Sequence, residues 1–427
     1  MTATHLIVLA LILLALFGAP LFTIIGAAAL FAFALADINS SAVIIELYKI
    51  ATTPTLIAIP LFTFAGYMLA ESKSPRRLVN LAQAMFGWLP GGLALVVLFT
   101  CAIFTAFTGA SGVTIVALGG LLYPILVKEK FPEKFSLGLV TSSGSIGLLF
   151  PPSLAIILYG LVAKVSIDQL FIAGLIPGLI LVGTLALYSM RVGVKAKVPR
   201  QQFSWKALVS AAREAAWEIP LPVIVIGGIY GGLFTATEAA AVTAFYVFVV
   251  EVFVYRDLHF FRDVPRVMVE SMMLVGAVLA ILGTAFGLTN YLIDEEVPQK
   301  LFLFVQEHVS SRTTFLIILN LFLLMVGMTM DIFSAIVVVV PLILPIAQQF
   351  GIHPLHLGMI FLTNLEIGYL TPPVGLNLFL SSLRFEKPIL EIAKSVLSFI
   401  GLLLVALLII TYVPALSLWL VEALGTR

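Results

Sequence analysis

The sequence predicts an all-α integral membrane protein. It is expected to be built from two inverted repeats that together supply about ten transmembrane helices and two re-entrant helical hairpins. Three observations predict this. Of 427 residues, 61% are hydrophobic and only 11% are charged, and the mean hydropathy of +1.16 lies far above that of soluble globular chains. A helix-weakening stretch, "SSGSIGLLFPPS" at 142–153, recurs as "TNLEIGYLTPPVG" at 363–375, so that Gly368, Pro372 and Pro373 lie 221 positions beyond Gly147, Pro151 and Pro152. Lysines and arginines gather at segment ends in an order that gives the two halves opposite orientations. A β-barrel needs alternating polar and apolar residues, a pattern this chain lacks.

Residues 4–36 are apolar and read as two short spans hinged at Gly18-Ala19-Pro20. No basic segment precedes them and no polar domain follows, so they are expected to stay rather than to be cleaved as a signal peptide. Setting residues 59–180 against 280–401 at the constant shift of 221 pairs Thr63 with Thr284, Gly66 with Gly287, Thr108 with Thr329 and Pro124 with Pro345. Between Leu93 and Val127 two apolar runs flank Thr108-Gly109-Ala110-Ser111-Gly112. Each arm is short for a hydrocarbon core of about 30 Å, which predicts a hairpin that enters and leaves on one side with its polar tip near mid-membrane. Lys73, Arg76 and Arg77 before it and Lys128, Lys130 and Lys134 after it put both flanks in the cytoplasm.

Residues 135–163 then cross outward, and 168–190 return to a basic linker at 191–213. Spans at 214–233, 237–255 and 267–290 follow. The second hairpin runs from about Thr314 to Ile346 with its tip near Gly327–Asp331. Its flanks carry Asp294, Glu295, Glu296 and Glu307 on one side and His353 and His356 on the other, so it opens from outside. Residues 357–382 re-enter, and a last span leaves the C-terminus external. A net charge of +1 and the absence of a basic aromatic groove give no argument for nucleic acid. Cys101 is the single cysteine, so neither a disulfide framework nor a thiolate metal site is available.

In hydrocarbon every backbone N–H and C=O must be paired. Proline cannot donate and clashes with the preceding turn, so both proline pairs free carbonyls at membrane depth. Such backbone survives in a cavity or around a bound ion, and paired hairpins with discontinuous helices in inverted repeats describe a secondary transporter. Carbonyl and hydroxyl oxygens suit a hard cation such as Na⁺. One site is therefore expected among Thr108, Gly109, Ser111, Gly112 and the break that carries Ser142, Ser143, Ser145 and Pro151. Its twin uses Thr329, Asp331, Thr363, Asn364, Thr371, Pro372 and Gly375. Asp331 has three readings: a sodium ligand, a helix cap or an outward-facing charge. Glu366 and Glu238 share that ambiguity, with a hydrogen-bonding role favoured for Glu238. Ser153 and Asn377, just past the proline pairs, are candidate substrate contacts together with Ser143 and Glu366, since half-helix N-termini attract anions.

At "FTAFTGASGVTIVALGGLLYP", "SGSIGLLFPPSLAIILYG", "GLFTATEAAAV", "MDIFSAIVVVVPLILP" and "NLEIGYLTPPVGLNLF" the chain resembles the large membrane subunit of the tripartite ATP-independent periplasmic (TRAP) transporters, the DctM-like permeases. The resemblance covers nearly the whole chain. It implies an elevator-type, sodium-driven importer of organic anions in the bacterial inner membrane, fed by a periplasmic solute-binding protein and assisted by a small four-helix membrane subunit. Scaffold segments are expected at 1–84, 166–305 and 386–427, the last as a single C-terminal helix. Transport segments are expected at 85–165 and 306–385. Sialic-acid members have a longer second arm in hairpin one with an acidic residue. Here eleven residues, none acidic, separate Gly112 from Pro124, which favours a dicarboxylate or other small carboxylate.

Two rival classes remain to be weighed. "GASG" at 109–112 also fits an intramembrane serine protease, but the five histidines lie at predicted ends or loops, away from any base position. A channel or a stand-alone symporter is the other alternative, and two hairpins facing opposite sides suit alternating access better than a pore.

Overall fold

The structure, a computed structural model, describes residues 3–39, 41, 44, 45, 48, 49, 52–199, 201–309 and 311–424. Among the described residues every regular element is helical, the arrangement in which an apolar chain satisfies its own backbone within a membrane. The first repeat opens with α1 (Ala3–Leu16) and α2 (Leu21–Leu35), separated at Gly18-Ala19-Pro20 as the sequence predicts. It continues through α3 (Ala58–Glu71), the amphipathic α4 (Ser74–Phe86) and a hairpin of α5 (Gly92–Thr108) and α6 (Ser111–Lys128). A broken helix follows, α7 (Glu133–Ser143) and α8 (Leu154–Ala163), and the long α9 (Ile167–Lys195) closes the repeat. A linker helix, α10 (Trp205–Glu214), packs on α4 through Leu81, Ala211 and Ala215.

The second repeat comprises α11 (Pro220–Tyr230), α12 (Ala236–Val254), α13 (Asp263–Asp294) and α14 (Val297–His308). Its hairpin is α15 (Arg312–Thr329) and α16 (Ile332–Gln349), its broken helix α17 (Pro354–Gly368) and α18 (Leu376–Phe385). The chain ends in α19 (Ile389–Tyr412) and α20 (Ala415–Ala423). Helices α6 and α16 start and end 221 positions apart, the spacing read from the double prolines. Both proline pairs break their helix, and Pro151-Pro152 and Pro372-Pro373 each carry a cis peptide bond.

The repeats interlock rather than sit side by side. Helix α3 of the first packs against α12 of the second, and α13 of the second packs against α2 of the first. The later half of each broken helix crosses over in the same way, with α8 along α16 and α18 along α6. These reciprocal pairs relate the halves by a pseudo-two-fold, and they bring the later half of each broken helix against the hairpin of the opposite repeat.

Among the described residues eight helices are long and apolar enough to cross a membrane, and the pair α7–α8, bent by 44°, makes a ninth candidate. Three of the eight are hairpin arms. With 17 or 18 residues each arm is longer than the sequence suggested, about 25–27 Å at the usual helical rise.

Three expectations need correction in detail. The span placed at 214–233 is a helix of only 11 residues, because residues 215–219 form a turn that directs Glu218 onto Arg77. Arg77, used above as a cytoplasmic flank charge, is 5% exposed and paired with Glu218, Glu251 and Asp257, so it is a packing element rather than a free marker of side. The C-terminal segment is two helices, not one. Pro414 ends α19, and α20 folds back onto α9 and α17.

Candidate functional site

The tip of the first hairpin forms because Gly109 adopts φ +66°, donating its N–H to Thr105 O at 2.8 Å to end α5. A side chain there would also meet Leu154, whose Cβ lies 2.6 Å from where the Gly109 Cβ would stand, so only glycine lets the tip touch the start of α8. Three threonine hydroxyls converge behind it. Thr105 Oγ1 lies 2.8 Å from Thr114 Oγ1 and donates to Gly144 O at 2.9 Å, while Thr108 Oγ1 lies 3.5 Å from Thr114 Oγ1. The carbonyl they reach belongs to the turn that begins the first break. Ser143 Oγ donates back to Leu139 O at 2.6 Å, which commits its proton. Ser142 is fully buried, and its hydroxyl has no partner. Ser111 and Ser145 are buried on the same cluster of elements, as are Pro151 and Pro152.

The second hairpin is held to the second break by different bonds. Ile332 N donates to the Tyr369 hydroxyl, and Gly375 N donates to Met328 O at 3.3 Å. Asp331 caps α16, accepting from Phe333 N and Ser334 N at 3.0 Å each and from the Ser334 hydroxyl. Of its three sequence readings, the cap is the one the geometry realises. Thr329, Thr363 and Thr371 spend their protons on carbonyls three or four residues earlier in their helices. Asn364 donates to Asn320 Oδ1 at 2.7 Å and to Ile360 O at 2.8 Å, so both its N–H groups are used while its buried Oδ1 has no partner.

The two breaks are joined across the repeats. Asn377, at the start of α18, donates to Thr141 O in α7 at 3.4 Å, and its own Oδ1 is left without a partner. Other buried oxygens without partners among the described residues are those of Thr141, Ser153, Ser381 and Glu366 Oε1, on the helices that flank the two breaks. Unpaired buried polar atoms each cost about 1–3 kcal/mol, so open oxygens on the segments flanking both breaks are candidates to receive something polar. Ser153 stands at the N-cap of α8 with its hydroxyl unused by the helix, and Gly375 opens α18. The first-turn N–H groups of both half-helices add partial positive charge there. Among the described residues no group of three or more His, Cys, Asp and Glu could hold a metal ion; the buried open oxygens are hydroxyls, amide oxygens and the Glu366 carboxyl, donors of the kind a hard cation takes.

The sites differ in cover. Pro151, Pro152 and Ser153 are buried, whereas Thr329, Pro372, Pro373 and Val374 are exposed. Sequence reasoning missed Thr105, Thr114, Asn320 and Tyr369. The threonines were legible in "FTAFTGASGVT", one helical turn before Thr108 and three residues past Ser111, and Asn320 stands alone in the apolar run "IILNLFLL". Glu238 closes a capping box with Thr235 and has no further role. His356 is not a loop residue. It is fully buried, with Nε2 3.1 Å from Thr411 O and Nδ1 3.2 Å from Ser417 Oγ, so it anchors α20.

Interlocked repeats, paired hairpins and broken helices around a polar crossing define a multi-pass membrane transport protein. The chain matches the family model described as "Tripartite ATP-independent periplasmic transporter, DctM component" over residues 6–416. It is 37% identical to the C4-dicarboxylate TRAP transporter large permease protein DctM of Rhodobacter capsulatus, covering 97% of this chain and 98% of that one. It is 39% identical to the isethionate TRAP transporter permease protein DctMQ of Oleidesulfovibrio alaskensis, over 85% of this chain and 58% of that longer protein. In three dimensions it is similar to the Alcanivorax borkumensis YdaH transporter, with a TM-score of 0.62 at 12% identity, over 88% and 87% of the two chains. The chain belongs to the DctM family of TRAP large permeases, transporters and not enzymes, and is a multi-pass protein of the bacterial inner membrane.

Proposed function

We propose that this permease imports a small organic anion, a dicarboxylate or related carboxylate, driven by a sodium gradient. The anion is received from a periplasmic solute-binding protein, and a small four-helix subunit completes the membrane unit. The observation that carries the reading is the set of buried oxygens, unpartnered among the described residues, on Thr141, Ser142, Ser153, Asn364, Glu366 and Asn377, all on the segments that flank the two breaks. Oxygens without hydrogens to accept suit a cation, and the adjacent half-helix N-termini suit an anion.

The first sodium site uses Thr108, Gly109, Ser111, Gly112, Ser142, Ser143, Ser145 and Pro151, with Thr105 and Thr114 fixing the tip. The second uses Thr329, Thr363, Asn364, Thr371, Pro372 and Gly375, with Asp331 holding the hairpin's second arm. Substrate lies between them against Ser143, Ser153, Glu366 and Asn377. Segments 85–165 and 306–385 move as an elevator against a scaffold of 1–84, 166–305 and 386–427. The unequal cover of the two breaks supports a cycle in which one side opens while the other is closed. A dicarboxylate substrate follows the printed name of the Rhodobacter relative, and the isethionate relative keeps other small anions in range.

The test is uptake of labelled C4-dicarboxylate into proteoliposomes that hold the permease and small subunit, with binding protein outside. An inward sodium gradient drives accumulation, and Ser142→Ala or Asn364→Leu raises the sodium concentration for half-maximal rate at least several-fold. Uptake unaltered when potassium replaces sodium on both faces rejects the coupling.

A further inference from the structure

A cavity of about 790 Å³ has none of the candidate site residues in its lining. It is a groove between α9, α19 and the turn that leads into α5. Pro90, Leu187, Val194 and Leu402 give it apolar walls beside Thr184 and Tyr188, and Arg191 and Lys195 also line it. Leu187, Arg191, Val194 and Lys195 recur at helical spacing, so they form one stripe on α9. Leu187 is 72% exposed and Val194 55% exposed, an apolar face that a membrane covers. Neither Arg191 nor Lys195 has a carboxylate partner among the described residues. Cytoplasmic sidedness asks only for basic residues somewhere past α9, and Lys197, Lys206 and Arg213 already supply them. Arg191 and Lys195 are distinct in flanking one groove a single turn apart.

The depth of the groove mouth is marked independently. Trp88, two residues before Pro90, meets Phe203 with ring centroids 6.1 Å apart, and Phe203 meets Trp205 at 5.2 Å. All three rings are 43–71% exposed. Amphipathic aromatic rings collect at the headgroup level of a bilayer, so this row sets the end of the groove where the headgroups lie. Long cationic side chains there reach the phosphate while their stems stay on apolar surface.

We propose that this groove is a binding site for one anionic phospholipid, with an acyl chain along Leu187, Val194 and Leu402 and the headgroup phosphate held by Arg191 and Lys195. The site lies at the base of hairpin one, where α5 leaves its turn beside α9. A lipid seated there forms part of the bearing surface between the hairpin and the long helix.

Native mass spectrometry of the detergent-purified full chain tests this with phosphatidylglycerol and phosphatidylcholine of equal chain length. Phosphatidylglycerol is expected to stay bound preferentially. Arg191→Gln with Lys195→Gln lowers its retention on the order of tenfold, given about one kcal/mol for each basic residue near an anionic headgroup. Lys197→Gln with Lys206→Gln, outside the groove, leaves retention within twofold. Leu187→Trp fills the groove without changing charge and also lowers retention, so the proposal stays testable if the charge variant folds poorly. Equal retention of the two lipids, equal loss in the two charge pairs, or loss of phosphatidylglycerol when the small subunit is co-purified overturns the assignment. The last outcome would make the occupant a protein.

Discussion

Arg77 brings one positive charge into a site with three carboxylates, and its fork is used in full. Nε pairs with Glu218, Nη2 with Glu251 at 3.1 Å and Nη1 with Asp257 at 2.5 Å, while the guanidinium carbon lies 3.8 Å from the Tyr255 ring centre. This ties α4 to the turn before α11 and to the end of α12, so one side chain joins the two repeats. Taking away one partner of a buried ion pair leaves charge uncompensated and costs about 3–5 kcal/mol. Arg77→Met therefore lowers the unfolding midpoint in detergent by many degrees. Arg77→Lys recovers only part of it, because an ammonium cannot contact three carboxylates in fork geometry. The same melts carry a pH signature. Burial pushes the Asp257 carboxyl up, but hydrogen bonds from Arg77 and from Lys73 N–H, with the Arg77 charge, outweigh it and leave Asp257 below its ordinary value. A lowered carboxyl stabilises the fold above its unfolded value, near 3.9, and that contribution disappears as pH falls through the folded one. Acid melts should show the loss in wild type and less of it in Asp257→Asn.

At the scale of elements, two glycines set how closely each broken helix lies on its hairpin. A Cβ on Gly147 would stand 2.3 Å from Ala102 O and 2.7 Å from Ala106 N in α5. A Cβ on Gly368, its repeat counterpart, would stand 2.5 Å from the backbone of Gly327 in α15. Backbone contact of this kind is how membrane helices approach without large side chains. Gly147→Ala and Gly368→Ala each force the arms apart, at about 1–3 kcal/mol by analogy with overpacked cores. Both should lower the melting midpoint, with Gly183→Ala as the neutral control, since nothing lies within 4 Å of a Cβ there. These two glycines were visible beforehand because they lie inside the motif that repeats. The hairpins, the breaks and the hinge at Gly18-Ala19-Pro20 were legible for the same reason, each being written in consecutive residues as a lapse in apolarity. The Arg77 cluster was not legible, because its members come from positions 77, 218, 251 and 257 and meet only through tertiary contact. Neither was the return of α20, whose anchor is the pairing of His356 with Ser417, 61 positions away.

The whole molecule has two hairpin-and-break units related by the pseudo-two-fold, and this number has an electrical consequence. If each unit takes one sodium ion, a cycle carries two positive charges inward. A divalent carboxylate cancels them, so the membrane potential, worth about 2.3 kcal/mol per charge per 100 mV, adds nothing to its accumulation. A monovalent anion carried by the same cycle leaves one positive charge uncompensated and becomes sensitive to voltage. Proteoliposomes on a sensing electrode with the binding protein and small subunit present should therefore give no current with a dicarboxylate and an inward current with a monoanion of similar size. An inward current with the dianion would require a third cation and would overturn the two-ion cycle. The pseudo-two-fold makes each unit depend on the opposite repeat, with α8 on α16 and α18 on α6. Disabling one unit, by Ser142→Ala or by Asn364→Leu, is then expected to slow transport of the dianion without making it electrogenic.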